Sequence, residues 1–164
     1  MAYSNFDKIV NEALWDLIVA EFKIPVAFHN EYRASDFKGK NEYIRIFHAG
    51  SDLMDQGSWY ETRSYLYEIT YYLNFPEGRS LRKAYDNKIS DRTNHLEYFL
   101  ATKRDHQSDG YKWHGIKTDR EPIGFGIPEI ENTENIKWSL LNVTIVRTNE
   151  TPEVPEAVDG GDLV

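Results

Sequence analysis

The segment Glu61–Leu73 (ETRSYLYEITYYL) restricts this chain more than any other stretch of it. Strand side chains alternate between two faces. Here Tyr65, Tyr67, Ile69, Tyr71 and Leu73 fall on one face, and Ser64, Leu66, Glu68, Thr70 and Tyr72 fall on the other. The segment is expected to be a sheet strand with two working faces. Tyrosine joins a large apolar body to a polar tip, which suits a surface half-buried against a partner. No segment of comparable clarity carries a catalytic pattern, so the first expectation is an assembly protein.

Composition narrows the alternatives. The 164 residues suffice for one domain that buries roughly 68–70% of its unfolded surface. The chain has no cysteine. That excludes disulfides, thiolate catalysis, zinc ribbons and iron–sulfur clusters, and it fits a reducing compartment. No stretch reaches the roughly 20 apolar residues of a membrane-spanning helix. Asp7, Glu12, Asp16 and Glu21 run through the apolar N-terminal segment, against the pattern of a signal peptide. Without a secretory signal, the glycosylation patterns at Asn142-Val143-Thr144 and Asn149-Glu150-Thr151 are expected to be coincidental.

The net charge of −8 is uneven. Glu150, Glu153, Glu156, Asp159 and Asp162 stand in residues 149–164 without a Lys or Arg, and the rest of the chain is close to balance. No basic stripe tracks phosphates, so tight or sequence-specific nucleic-acid binding is not expected. The acidity serves solubility, and it also suits a surface that DNA slides past.

Local signals order the elements. Ser4 is placed to cap a helix, with Asp7 at its positive end. Phe6, Ile9, Val10, Ala13, Leu14, Leu17 and Ile18 recur at helical spacing, and Pro25 stops the run near Phe22. Val26–Phe28 and Tyr43–Phe47 are predicted strands, separated by a polar loop at 30–41. Ala49–Ser58 (AGSDLMDQGS) has turn residues at both ends. It is expected to be a long loop closing an antiparallel hairpin between Tyr43–Phe47 and Glu61–Leu73. Ser90 is placed to cap a second helix, Asp91–Thr102, that buries Leu96, Phe99 and Leu100. After a loop at 105–110, Tyr111–Thr118 is a predicted strand. Residues 119–135, with Pro122, Gly124, Gly126 and Pro128, are expected to be irregular. Ile136–Thr148 is the last strand, with Leu141, Val143 and Ile145 on one face and Trp138, Leu140, Asn142, Thr144 and Val146 on the other. Residues 149–164 form an acidic tail with no core of its own.

This order predicts an α+β fold over residues 1–148. An antiparallel or mixed sheet of about four to five strands would carry two helices packed on one face. The other face then needs a cover, either a neighbouring subunit or the loops at 30–41 and 119–135.

Candidate chemistry is sparse. His29-x-Glu31 matches half of a zinc deaminase signature whose other half needs cysteines. None of His29, His48, His95, His106 and His114 pairs with another in the His-Glu-x-x-His manner. Asp52, Asp55 and Glu61 could form a carboxylate cluster for Mg²⁺, but acidic residues at a loop tip are more often simply solvated. Gly124-Phe125-Gly126 lacks the third glycine and following helix of a dinucleotide fingerprint. No cofactor is expected. Arg45 and Arg63 sit inside strands, on a solvent face or paired with acids of a neighbouring subunit. Trp59-Tyr60 belongs either to the core or to an interface.

The layout resembles the tail terminator (tail completion) proteins of tailed bacteriophages, of the lambda-like fold, over residues 3–148. The elements that carry it are the N-terminal helix, the short strand to Phe28, YIRIF (43–47), the long strand 61–73, the helix 91–102 and the strand around Trp138–Val146. The excursion at 119–135 and the acidic tail depart from the pattern. The resemblance implies a hexameric ring at the end of the tail tube, at the tail–head junction of the virion and assembled in the host cytoplasm. Its implied partners are further copies of itself, the tail tube protein, a neck or connector protein and, in a contractile tail, the sheath. DNA would pass through without sequence-specific binding, and no membrane is involved. Interface candidates are Arg45, Asp52, Asp55, Trp59, Arg63, Tyr65, Tyr67, Trp138, Glu153 and Glu156. The competing expectations are a neck or head-completion connector, a small metal-dependent hydrolase, and a monomeric adaptor using its acidic tail.

Overall fold

The computed structural model describes residues 5–28, 39–75, 82–104, 113–127, 130 and 135–150. His29, Glu31, His106, Glu153 and Glu156, most of the 30–41 loop, the 105–110 loop and the tail beyond Glu150 lie outside the described residues. The elements run α1 (Phe6–Glu21), β1 (Val26–Phe28), β2 (Glu42–Gln56), β3 (Tyr60–Asn74), α2 (Arg82–Thr102), β4 (Gly115–Arg120), β5 (Gly124–Phe125) and β6 (Ile136–Glu150). The sheet is mixed and six-stranded, in the order β1-β2-β3-β6-β4, with β5 following β4 along the same side of β6. Only β1–β2 is parallel. This is the expected α+β class with one strand more than foreseen.

Helix α1 has 16 residues, a length marginal in isolation, so its packing must hold it. Val10, Leu14 and Ile18 are fully buried along one stripe, and each such burial contributes roughly 1.5–3 kcal/mol. The N-cap is Asn5 rather than Ser4, its side chain accepting from the Lys8 backbone N–H at 3.0 Å. Phe22 closes the helix in an extended conformation, and Pro25, which disfavours a helical Ile24, follows shortly after.

Both helices cover the same sheet face. Tyr65, Tyr67, Ile69, Tyr71, Leu141, Val143 and Ile145 enter one core with the α1 stripe and with Ile89, Leu96 and Leu100 of α2. The predicted faces of β3 and β6 are therefore the observed ones. Tyr65 and Tyr67 are correspondingly core residues, 0% and 1% exposed, and are not available to another subunit. Burial holds both phenols above their ordinary range, and Tyr67 donates to Asn11 of α1.

Helix α2 starts at Arg82, well before the expected Asp91, and Ser90 lies inside it. Apolar periodicity is weak there because polar partners replace it. Glu42 of β2 receives Lys88 and Arg92, both at 3.2 Å, and the Tyr71 hydroxyl at 2.8 Å. Lys137 of β6 binds Asp86. Burial alone would raise the Glu42 carboxyl, but the Tyr71 hydroxyl and the two cations outweigh it, and its pKa lies below the ordinary 4.5. Thr93 and Ser139 share a buried hydroxyl contact of 2.7 Å beneath the helix.

Among the described residues, the helix-free face is covered only at one end. Tyr43, Tyr72 and Ile136 form a second small cluster there with Ala27, Ile127 and Trp138. The Trp138 indole N–H donates to the Gly126 carbonyl at 2.8 Å. Its ring occupies the space that a Cβ on Gly124 would fill, and Gly126 turns the chain at φ 65°. The lone Gly-x-Gly is thus a cradle for a tryptophan. Among the described residues, no helix is long and apolar enough to cross a membrane.

Candidate functional site

Strands β2, β3 and β6 are each 15 residues long, and their upper ends extend past their neighbours. The outer strand β1 meets β2 only at Ile44–Ile46, and β4 meets β6 only from Leu141 to Val146. The result is an arm whose tip is the β2–β3 connection. Ala49–Ser58 is therefore mostly strand, which corrects the expected loop. Its pairing runs to Gln56 through irregularities at His48/Gly50 and Leu53/Asp55, with Gly50 at φ 141°. A bulged strand exposed on both sides carries no alternating core pattern, so it resembles a loop in sequence. The actual turn is short: the Gly57 N–H donates to the Tyr60 carbonyl at 2.9 Å.

The arm tip exposes large apolar side chains among its polar ones. Leu53, Met54, Trp59 and Tyr60 are 48%, 58%, 50% and 39% exposed. The Tyr60 hydroxyl donates to Asp55 at 3.2 Å, which ties one aromatic across the turn. That bond raises the Tyr60 phenol above its ordinary range. Trp59 is thus a surface aromatic rather than a core residue.

Where the arm leaves the helix layer, a polar network fixes it. Asn149 is fully buried; its amide N–H₂ donates to the Tyr65 hydroxyl at 2.7 Å and to Glu61 at 3.2 Å, and its carbonyl accepts from Arg147 at 2.7 Å. Arg63 donates to Glu61 at 2.8 Å. Within the chain, the partner of Arg63 is thus Glu61 of its own strand. Glu61, Arg63 and Tyr65, with Asn5, Phe6, Asp7 and Ser51, line a polar cleft of about 250 Å³ at the start of α1. Asn149 was assigned to the tail from sequence. The signal that could have found it is its place two positions beyond Arg147 and four beyond Ile145 on the inward face.

The remaining candidates scatter. Arg45 is half-buried on the helix-free face, beside Tyr72, whose phenol burial raises. Trp138 lies on that same face, held by Gly124 and Gly126. Asp52 and Asp55 stand opposite Ser64 and Thr62, on the helix-free side, whereas Glu61 shares the other side with Tyr65. The three carboxylates do not converge. Among the described residues, no group of three or more His, Asp or Glu side chains is placed to hold a metal ion. His95 instead bonds Glu21 at 2.8 Å and packs on Phe22, bridging the two helices. His48 stacks on Tyr67, and His114 contacts Thr148 at 2.9 Å.

The arrangement is a strand-built arm with exposed aromatics at its tip, next to a sheet face that no helix among the described residues covers. Comparison of the sequence with protein-family models and with curated proteins gives no match to either.

Proposed function

We propose that this chain is a structural protein of a tailed-bacteriophage virion, forming a hexameric ring that ends tail-tube polymerisation and joins tail to neck. The observation that carries the reading is the arm: three long strands reach past the helix layer and present Leu53, Met54, Trp59 and Tyr60 to solvent. Exposed aromatic anchors of this kind are typical hot spots of protein interfaces. The order of elements supports the same reading through its resemblance to the layout of terminator proteins. The arm tip is the candidate contact with the tube or neck, and the sheet edges beside the helix-free face that carries Arg45 and Trp138 are the candidate joints between subunits. A net charge of −8 favours a channel through which DNA moves without adhering.

Electron microscopy of the purified protein tests the reading. Closed six-fold rings with an open centre are the expected result. Open filaments, or particles no larger than a single chain at every concentration, contradict it.

A further inference from the structure

We infer that copies of this chain join edge to edge, with the upper edge of β2 in one copy lying antiparallel to the β4 edge of the next. The pairing presumes the closed ring proposed above. Both edges are open among the described residues. Among the described residues, β1 occupies the outer side of β2 only at Ile44–Ile46, so that side of Phe47–Gln56 has no neighbouring strand, and β4 ends the sheet on the other side. Open edges present rows of backbone donors and acceptors that a further strand can satisfy.

Direction and height both match. β2 and β6 each run antiparallel to β3, and β4 runs antiparallel to β6. β4 and β2 therefore point in opposite senses. Rotation about an axis along the strands preserves those senses, so neighbours in a ring meet as an antiparallel pair. Across the sheet, Gly115 stands level with Val146, Ser64 and Asp52. Lys117 stands level with Thr144, Leu66 and Gly50, and Asp119 with Asn142, Glu68 and Phe47. Gly115–Asp119 thus lies at the height where β2 is open. Arg120 is level with Ile46, where β1 takes over the edge. A closed ring allows no net climb from one copy to the next, and none is needed here.

Charge selects this joint over the alternatives. Phe47–Gln56 contains Asp52 and Asp55 and no Lys or Arg, so two β2 edges repel each other. β4 carries Lys117 and Arg120 against Asp119, with Arg120 held by Glu97 at 2.9 Å. Asp52, Asp55 and Lys117 all belong to the helix-free face of the sheet, and so meet on one face of the joined sheet. The irregularities at His48/Gly50 and Leu53/Asp55 hinder indiscriminate strand addition to the same edge.

The chain has no cysteine, so single-cysteine variants report one position each. Asp52→Cys and Lys117→Cys, both at exposed sites, are purified, checked for the wild-type assembly mass and cross-linked with a short bis-maleimide. A covalent dimer in the mixture of the two, and in neither variant alone, is the expected result. Assemblies of wild-type mass without that cross-link overturn the edge pairing and leave the ring reading standing. A cross-link in Asp52→Cys alone also overturns it, because two β2 edges would then be in contact. Protein that stays monomeric overturns both. As an independent measurement, Lys117→Glu weakens assembly severalfold and Asp52→Lys in the same chain restores it. Failure of that rescue, with both variants folded, contradicts the joint.

Discussion

Single residues in this chain act through close fits that apolar periodicity does not reveal. Gly124 is required because the Trp138 ring lies where its Cβ would be. Gly124→Ala is expected to lower stability by about 1–3 kcal/mol, as overpacking does, read as a lower midpoint in urea unfolding. Tyr67→Phe removes the hydroxyl donated to Asn11 and keeps the buried ring. A loss of about 0.5–1.5 kcal/mol is expected by the same measurement. Glu42 gives a pH signature. Its folded pKa is depressed below 4.5, so its contribution to stability is fully present above the unfolded value and fades as pH falls through the folded one. Glu42→Gln is expected to be less stable than wild type at neutral pH. The gap narrows as the pH drops below about 4.5, in urea midpoints recorded across the acid range. The faces of β3 were legible because Tyr, Ile and Leu alternate there. Glu42, Asn149 and Gly124 were not, because a buried ion pair, a buried amide and a missing side chain leave no hydrophobic trace.

Elements were legible where one face is apolar and illegible where polar pairing replaces it. α1, β3 and β6 have continuous core stripes and were found within a few residues of their ends. The first two turns of α2 bury Ile89 but are otherwise held by Lys88 to Glu42 and Asp86 to Lys137, so the sequence there resembles a solvated loop. The upper half of β2 pairs through its backbone while Leu53, Met54, Asp55 and Gln56 face solvent, and it looked like a turn for the same reason. The interface candidates divided accordingly. Trp59, Asp52 and Asp55 are exposed on the arm, whereas Tyr65 and Tyr67 serve the core. The arm gives a prediction of its own. Met54→Ser with Trp59→Ser touches no core residue, so stability is expected to change by no more than about 0.5 kcal/mol. Attachment of the ring to its tube or neck partner, followed by co-sedimentation, is expected to be lost.

Among the described residues the molecule is a one-sided sandwich: two helices protect one face of the sheet, and the other face and the upper edges stay largely open. Such a shape leaves backbone and apolar groups that a further copy can satisfy, and heterologous contacts of that kind close into rings when the rotation permits. The net charge of −8 suits the proposed passage for DNA. The fold class was legible from the order of elements, but the proposed edge pairing was not, because strand levels appear only once the register is known. The most direct test of the ring is the mass of the purified protein by light scattering across a concentration series near neutral pH. The account predicts a limiting mass of six chains at high concentration. A strict monomer throughout the series would contradict it.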